Sequence, residues 1–286
     1  MNFFLNRYKE FGQTIDPEEC QLKTSIRVNN LKIDDKTLVK RLKQRKITLA
    51  KIPWLDHGYY SESEFSAGST QEYLQGYYYV QEAAAQVPAM ILNPDKDDVV
   101  LDMCAAPGGK TCQLAQYMDN KGTLIALDNN KPRLASLKNN LERLGIANTL
   151  IYNLDAKYID SLDVKFDKIL LDAPCSGNFC TDRNWFGKRT IEGVKQKAKQ
   201  QKDLLKAAVS ALKPAGELVY STCSLEPEEN EEVIEWALET LGIELLPVEL
   251  DAGSPGLTQK TSKCLRFWPN KDKTEGFFLA KLKKLV

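Results

Sequence analysis

Short apolar runs alternate with amphipathic stretches from about residue 98 to the end of the chain. Because these runs are apolar throughout, they predict strands that are covered on both faces, as in a parallel sheet. The predicted strands are 99–102, 123–128, 149–152, 168–172, 217–220, an apolar run at 243–250 and a final strand at 277–280. The pattern therefore predicts an α/β fold with about seven strands, most of them parallel.

Helical periodicity fills the gaps between these runs. Residues 131–144 place four leucines at spacings of three and four and stop at Gly145, which is typical of an amphipathic helix with a glycine C-cap. Residues 197–212 behave in the same way, and a Glu-rich helix is expected around 228–241. Helices between parallel strands are the pattern of a doubly wound sheet.

The first part of the chain has a different sequence pattern. It predicts a helix at 3–12, a strand at 25–28, a basic helix at 36–46 and aromatic-rich irregular sequence through Tyr79. A helix is also expected at 81–92. We therefore divide the chain into an amino-terminal module (1–75), a connecting helical segment (76–97) and a catalytic domain (98–286).

Charge is balanced overall but not locally. The 286 residues contain 39 basic and 39 acidic side chains, yet 36–51 and 183–213 are strongly basic while 226–249 is strongly acidic. A basic face suits a polyanion such as RNA, although Lys-rich helices are more often simply solvated. Seven cysteines without CxxC pairs and a single histidine, His57, argue against a disulfide framework and against a metal site. No long apolar run or signal-like start occurs, so we expect a cytoplasmic protein with reduced thiols and no membrane contact.

A glycine-containing turn follows the first predicted strand. Residues 102–111 read DMCAAPGGKT and match neither the Walker pattern nor GxGxxG. Such a turn lets backbone N–H groups approach a ligand. Asp128 ends the second strand, where it could accept hydrogen bonds from ribose, and Asp155 follows the third strand, where it could accept from an adenine amino group. Together they indicate S-adenosylmethionine (SAM), with a nucleotide cofactor as the alternative.

Two thiols follow adjacent predicted strands. Strand 168–172 leads into Asp172-Ala-Pro-Cys175-Ser, and strand 217–220 leads into Ser-Thr-Cys223-Ser. Carbon five of cytosine becomes nucleophilic once a thiolate adds to carbon six, and a carboxyl hydrogen-bonded at ring nitrogen three or at the exocyclic amine, such as Asp172, would stabilise the developing charge. An enzyme that methylates an exocyclic amine would carry an aromatic residue at position 175 instead.

The motifs DMCAAPGGKT, ALDNN, LDAPCSGN and YSTCS, in this order and spacing, resemble the Nop/Sun-type RNA (cytosine-5)-methyltransferase family. The segment 76–82 and the RFWP of 266–269 resemble two further motifs of that family, so the similarity covers the whole chain. The short form is most similar to the archaeal tRNA enzymes of the family.

The resemblance implies a Rossmann-like SAM-dependent methyltransferase fold, an RNA-recognition-motif-like amino-terminal module and specific roles for site residues. Cys223 would be the nucleophile, Cys175 would assist resolution of the covalent adduct, Asp172 would contact the base and Lys110 would help hold or activate it. The residues implied to bind SAM are Cys104, Ala105, Ala106, Pro107, Gly108, Gly109, Lys110, Asp128, Arg133, Asp155 and Asp172.

RNA, and tRNA in particular, is the expected partner of a monomeric enzyme. The basic helix 36–46 is the candidate for phosphate contact, and two of six aromatic residues are expected to stack on the base. The six are Tyr59, Tyr60, Tyr77, Tyr78, Trp185 and Trp268. The loop 178–185 lacks the basic, proline-containing sequence of bacterial ribosomal members, which favours tRNA over rRNA. A non-catalytic RNA-binding protein that keeps the fold is the remaining alternative.

Overall fold

The computed structural model describes residues 2–286. Its α-helices are α1 (Phe3–Glu10), α2 (Asp35–Gln44), α3 (Gln71–Leu74), α4 (Val87–Leu92), α5 (Gly109–Tyr117), α6 (Lys131–Leu144), α7 (Trp185–Lys188), α8 (Ile191–Ala211), α9 (Glu231–Thr240) and α10 (Pro269–Asp272). Its strands are β1 (Ser25–Val28), β2 (Thr48–Lys51), β3 (Gly58–Glu62), β4 (Tyr78–Val80), β5 (Val99–Asp102), β6 (Thr123–Leu127), β7 (Thr149–Tyr152), β8 (Phe166–Asp172), β9 (Leu212–Thr222), β10 (Ile243–Leu246), β11 (Ser254–Pro255), β12 (Leu265–Phe267) and β13 (Phe277–Lys284).

The large sheet confirms the predicted α/β fold. Its order is β11-β12-β13-β9-β8-β5-β6-β7, with β10 pairing β13, which makes nine strands rather than about seven. The run β7-β6-β5-β8-β9 is parallel, and the remaining strands pair antiparallel, so the sheet is mixed. In the large sheet, the strands without a sequence prediction are β11 and β12, which have two and three residues, too few to show any periodicity. The expectation of irregular sequence through Tyr79 is wrong, because β2, β3 and β4 lie in that stretch.

Both faces of the large sheet are covered, as its apolar strands require. One face packs on α8 and α9 through side chains such as Leu171, Leu205 and Val233. The other packs on α4 and α5 through side chains such as Val100, Leu114 and Leu92. With both faces buried, polar side chains at the carboxyl ends of the parallel strands remain accessible to a ligand.

The amino-terminal module is an α+β unit, as predicted. Its antiparallel sheet has the order β2-β3-β1-β4, and α2 and α3 pack against one face through residues including Ile26, Leu38 and Tyr78. The strand β4 completes this sheet, although it falls inside the segment that we assigned to the connection. The expected helix at 81–92 begins as a 3-10 turn over Ala84–Gln86 and becomes α4 at Val87.

The opposite face of this small sheet is pressed against the catalytic domain. Arg27 of β1 is 2 % exposed, and its guanidinium donates to Gln116 Oε1 at 2.8 Å and to the Gly109 carbonyl at 2.9 Å. It also donates to the Gln81 side chain. The module is therefore anchored directly on the turn that opens α5.

The first helix crosses to the catalytic domain. Phe4 and Tyr8 pack against Trp185 and Trp268, and Arg7 pairs with Glu226 at 2.7 Å. This contact fastens the amino terminus beside the segment that follows β9. Within residues 2–286, no helix combines the length and apolar character that a membrane span needs.

Candidate active site

The turn between β5 and α5 is the first part of the site. Gly108 has φ +108°, in the left-handed region that favours glycine, and a Cβ on Gly109 would lie 3.0 Å from the Tyr79 ring. Thr111 Oγ1 donates a 2.7 Å hydrogen bond to Asp102 Oδ2, and burial raises the pKa of that carboxyl to about 7. Gly108 therefore suits the backbone path of the turn, and a side chain at position 109 would press on Tyr79.

Asp128 and Arg133 hold the same turn from the neighbouring strand. Asp128 Oδ2 accepts a 3.2 Å hydrogen bond from the Ala106 N–H, and its other oxygen accepts from the Asn130 N–H at 2.8 Å. Arg133 lies 3.4 Å from Asp128 Oδ2 and also donates to the Ala106 carbonyl. These two residues, expected to bind the cofactor, therefore also shape the turn.

A cleft of 430 Å³ opens at the carboxyl edge of the large sheet. An adjoining cleft of 240 Å³ lies on the side of the amino-terminal module. Residues that line one or both clefts are Cys104, Ala105, Ala106, Pro107, Gly109, Lys110, Asp128, Arg133, Asp155, Asp172, Cys175 and Cys223. The structure thus brings every predicted site residue except Gly108 to this edge, and Gly108 shapes the turn from behind.

Asp155 lies at the outer end of the larger cleft. Its carboxylate accepts a 3.1 Å hydrogen bond from the Lys157 N–H, as the cap of a 3-10 helix, and lies 3.3 Å from Lys157 Nζ. One third of its side chain is exposed. Asp155 therefore keeps oxygen surface available to a ligand in the cleft.

Helix α8 supplies lining residues that the sequence analysis did not single out. Lys197, Gln200 and Leu204 face the larger cleft at spacings of three and four residues. The helical periodicity of this segment was recognised, but nothing in a sequence shows which face of a helix borders a cleft. Lys197 and Gln200 are polar, and their polarity is the signal in the sequence that could have indicated a position at the cleft.

The two predicted catalytic thiols are in direct contact. Sγ of Cys175, after β8, lies 3.1 Å from Sγ of Cys223, after β9. Asn178 Nδ2 donates a 2.7 Å hydrogen bond to the Cys223 carbonyl, and the Ser176 N–H donates to Glu229 at 3.0 Å. The backbone on both sides of the pair is therefore held by buried polar side chains.

Asp172 and Lys110 form an ion pair beside the thiols. Lys110 Nζ lies 2.8 Å from Asp172 Oδ2, and Ser221 Oγ donates to Asp172 Oδ1 at 2.7 Å. Burial lowers the pKa of Lys110, but the charge and hydrogen bond of Asp172 outweigh it, so that pKa is raised above its ordinary value. Lys110 is therefore a cation over the working pH range and not a base.

The thiol of Cys223 is not pre-ionised in this arrangement. Its pKa is raised well above the ordinary value, first by the hydrogen bond with Cys175, then by burial and by the negative charge of nearby groups including Glu275. A nearby ammonium such as that of Lys110 would by itself lower the pKa of a thiol. The Lys110 ammonium is already paired with Asp172, and the hydrogen bond with Cys175 and burial dominate the pKa of the Cys223 thiol.

Two acidic residues that the sequence analysis did not assign to the site lie behind this ion pair. The Glu275 N–H donates a 3.2 Å hydrogen bond to Glu82 Oε1, and Glu275 is 8 % exposed. Their positions in the chain are 193 residues apart, so no local pattern links them. Glu82 was noted only as part of the family-like segment 76–82.

Three of the six aromatic candidates belong to the core and cannot stack on a base. Tyr78, Trp185 and Trp268 are at most 1 % exposed. Trp185 Nε1 donates to the Ser176 carbonyl at 2.9 Å, and Trp268 packs against Arg266. The aromatic character of a residue does not show whether its side chain packs in the core or can stack on a base.

The other three aromatic candidates, Tyr59, Tyr60 and Tyr77, are half-buried near basic side chains of the amino-terminal module. In the same module α2 keeps Lys36, Lys40 and Lys43 exposed, while Arg41 and Arg45 lie 3.5 and 3.6 Å from the buried Glu72. The predicted basic helix therefore offers free ammonium groups on its outer face.

Both parts of the chain are similar to known protein families. Residues 89–283 match the family described as 16S rRNA methyltransferase RsmB/F, and residues 2–83 match the N-terminal domain of 16S rRNA methyltransferase RsmF. The chain is 39 % identical over 283 residues to ribosomal RNA small subunit methyltransferase F of Vibrio parahaemolyticus, covering 93 % of this chain but only 58 % of the Vibrio protein.

Two archaeal proteins match over nearly their whole lengths. The chain is 38 % identical to the tRNA (cytosine(49)-C(5))-methyltransferase of Pyrococcus abyssi, over 92 % of this chain and 88 % of that protein. The crystal structure of NSun6 from Pyrococcus horikoshii with SFG superposes with a TM-score of 0.89 at 28 % identity, covering 98 % of this chain and 97 % of that one. The resemblance to the Nop/Sun-type family is confirmed, and the chain belongs to the RsmB/F family of SAM-dependent methyltransferases.

Proposed function

We propose that the protein is an RNA methyltransferase that makes 5-methylcytosine, with tRNA as its substrate and Cys223 as the nucleophile. The observation that carries the proposal is the 3.1 Å contact between the Cys175 and Cys223 thiols, beside the ion pair of Lys110 with Asp172. A second thiol next to the nucleophile suits a reaction in which a covalent adduct must form and then be resolved. The choice of Cys223 as nucleophile follows its T-C-S motif.

The cleft fits SAM by the chemistry of its lining. Carboxylates of Asp128 and Asp155 lie at one end, where ribose and adenine need hydrogen-bond acceptors, and the turn after β5 lies toward the thiols. Residues 104–110, Asp128, Arg133, Asp155 and Asp172 are therefore the residues that would hold SAM. When bound, SAM supplies an electrophilic methyl group. The archaeal NSun6 structure contains SFG, a SAM analogue, which supports this use of the fold.

The protein's own groups have separate tasks in the proposed reaction. The Cys223 sulfur forms a bond to cytosine carbon six, and the electron pair of the C5–C6 double bond moves into the ring. Asp172, fixed by Ser221 and Lys110, would accept a hydrogen bond from the exocyclic amine of the base, and the Lys110 ammonium beside it would offset the negative charge that the ring gains. After methylation, loss of the proton at carbon five allows the S–C6 bond to break, and Cys175 is the thiol placed to assist that step.

The choice of tRNA has two supports. The tRNA (cytosine(49)-C(5))-methyltransferase of Pyrococcus abyssi matches over 88 % of its own length, whereas the chain spans only 58 % of the Vibrio rRNA enzyme. The exposed lysines of α2 give the amino-terminal module a face that suits a phosphate backbone.

Ribosomal RNA is the second candidate substrate. The matching family descriptions both refer to 16S rRNA, and the relative from Vibrio parahaemolyticus acts, by its name, on ribosomal RNA of the small subunit. Incubation with SAM and either unmodified tRNA or unmodified small-subunit rRNA, followed by nucleoside mass spectrometry, decides between them. We expect 5-methylcytidine in tRNA. Product in rRNA alone would show that the substrate is rRNA and not tRNA, while the proposed reaction would stand.

A further inference from the structure

A buried carboxyl group, that of Glu275, lies just before β13, beside the segment that carries the nucleophile. Strand β13 runs antiparallel to β9, with Phe278 opposite Thr222, so residues 275–277 continue alongside the segment that begins at Cys223. Asn178 Nδ2 joins the two segments by donating to the Cys223 carbonyl at 2.7 Å and to the Gly276 carbonyl at 3.1 Å. The backbone that carries Glu275 is thus fixed relative to the backbone that carries the thiol.

Gly276 is essential to this close approach. A Cβ at position 276 would lie 2.5 Å from Cδ2 of Leu225, closer than real carbon atoms approach. The two segments are therefore in contact, and Glu275 is held at the carboxyl edge of the sheet instead of in solvent.

The charges around Glu275 come from several elements. Glu82, before α4, accepts a 3.2 Å hydrogen bond from the Glu275 N–H and a 2.7 Å hydrogen bond from the Ala84 N–H. Lys110 of α5 and Asp172 of β8 act electrostatically on Glu275, and Lys110 Nζ lies 5.5 Å from the Phe277 ring centroid. The Glu275 charge acts in turn on the thiols of Cys223 and Cys180.

The Glu275 carboxyl group has no hydrogen-bond partner among residues 2–286. Burial raises its pKa to about 8, and the negative charges of Glu82 and Asp172 act in the same direction against the opposing charge of Lys110. A buried carboxyl without a fixed partner and with a pKa near neutrality is suited to accepting and returning a proton.

The other groups at the thiols are less suited to that task. Lys110 is protonated, because its pKa is raised by Asp172. Both oxygens of Asp172 already accept hydrogen bonds, one from Ser221 and one from Lys110. Cys223 itself holds its proton, so its addition to a base requires a proton acceptor.

We propose that Glu275 is the proton acceptor for the Cys223 thiol during attack on cytosine. The proposal rests on the proposed function of Cys223. The S–H bond breaks, an O–H bond forms on Glu275, and the sulfur electron pair forms the S–C6 bond. When the S–C6 bond breaks after methylation, its electron pair returns to sulfur and Glu275 returns the proton. The proton lost from carbon five passes to solvent water and is the one net proton that the reaction releases.

The decisive variant is Glu275→Gln, which keeps shape and removes the acceptor and its charge. We expect the methylation rate constant kcat to fall by about 100-fold or more, the usual size of a lost general base. Alkylation of Cys223 by iodoacetamide at pH 8, without SAM or RNA, should become faster, because a negative charge that disfavours the thiolate is gone. A packing defect would not accelerate alkylation while it slows methylation.

The pH profile gives a second readout. In the parent protein, kcat should rise with pH with a midpoint near the Glu275 pKa of about 8. This rise should be absent in Glu275→Gln and partly kept in Glu275→Asp. Alkylation is quantified at Cys223 by peptide mass spectrometry, and unchanged melting temperature and SAM affinity confirm an intact fold. The matched control is Glu244→Gln, an exposed acid on β10, which should behave as the parent does.

The proposal is overturned if Glu275→Gln methylates within threefold of the parent, or if alkylation of Cys223 stays unchanged or slows. The alkylation arm needs neither RNA nor SAM, so it decides the proposal even if the parent shows no activity. Failure of the proposed function has a different signature, since the parent would then make no 5-methylcytidine or Cys223→Ala would remain active.

Discussion

The Sγ atoms of Cys175 and Cys223 lie 3.1 Å apart, at the carboxyl ends of the adjacent parallel strands β8 and β9. When one sulfur is bonded to carbon six of a base, the other remains next to the same ring. Asp172 lies opposite Ser221 in the strand register, and Cys175 and Cys223 follow their strands within three residues and one residue respectively. The contact therefore suits the proposed reaction, in which two cysteines serve one nucleophilic attack.

Replacing Cys175 should trap the reaction after methyl transfer. We expect Cys175→Ala, incubated with SAM and tRNA, to accumulate a protein–RNA complex that survives denaturation in SDS, because the S–C6 bond is no longer resolved efficiently. Gel electrophoresis with labelled RNA measures it. The double variant, Cys175→Ala with Cys223→Ala, should form no such complex. A complex that persists in the double variant would show that Cys223 is not the nucleophile.

Lys110 should act through its charge on Asp172 and Cys223. Lys110→Met keeps the side-chain length and removes the 2.8 Å ion pair with Asp172, so kcat should fall by about 10- to 100-fold, the range for losing a charge-assisted hydrogen bond. Alkylation of Cys223 at pH 8 should slow, because a cation that favours the thiolate is lost. Lys121→Met, which removes an exposed pair with Asp119, is the matched control. Identical alkylation profiles for parent and Lys110→Met would contradict this role.

Arg27 should couple the amino-terminal module to the cofactor turn. Arg27→Met leaves the Gly109 carbonyl and the side chains of Gln81 and Gln116 without their donor, which should lower the free energy of unfolding by about 2–4 kcal/mol. Affinity for SAM should weaken as well, since Gly109 belongs to the turn. Urea unfolding and titration calorimetry measure the two effects. Arg45→Met is the control, because the Arg45 side chain is half exposed. An equal loss of unfolding free energy in Arg45→Met would show that the buried position of Arg27 is not the cause of its effect.

Stability should decrease as pH rises from 5 to 7. Burial raises the pKa of Asp102 and of Glu226 to about 7 in the folded protein, whereas in the unfolded chain both titrate near 4. Between these values the folded state binds more protons than the unfolded state, so the free energy of unfolding falls by up to about 1.4 kcal/mol per pH unit for each group.

Urea unfolding at several pH values tests this dependence, with Glu226→Gln as the informative variant. Its slope should be shallower than that of the parent, because the substituted amide does not titrate and still faces Tyr8 and Arg7. Glu244→Gln, at an exposed position, should keep the parent slope. Stability that increases between pH 5 and 7 would show that other groups dominate.

Local sequence signals predicted the elements that carry the site. The strand positions 99–102 and 149–152, the helix 131–144 and the thiols after β8 and β9 are all where periodicity and motif spacing placed them. These features depend on residues close in sequence, so a single chain is enough to recognise them.

Relationships between distant segments were not predictable. Glu82 and Glu275 meet only because β13 returns beside β9, and the burial of Trp185 depends on α1 crossing from the other end of the chain. Likewise, the polar Arg27 on β1 gave no sign that its side of the small sheet packs against α5. Each case depends on tertiary contacts that no local pattern encodes.

Covalent catalysis by Cys223 on RNA cytosine is best tested by product formation. The experiment incubates the parent protein, Cys223→Ala and the surface control Glu244→Gln with SAM and unmodified tRNA, and quantifies 5-methylcytidine by nucleoside mass spectrometry. We expect product with the parent and the control and none with Cys223→Ala. Product formed by Cys223→Ala at the parent's rate would contradict covalent catalysis by Cys223.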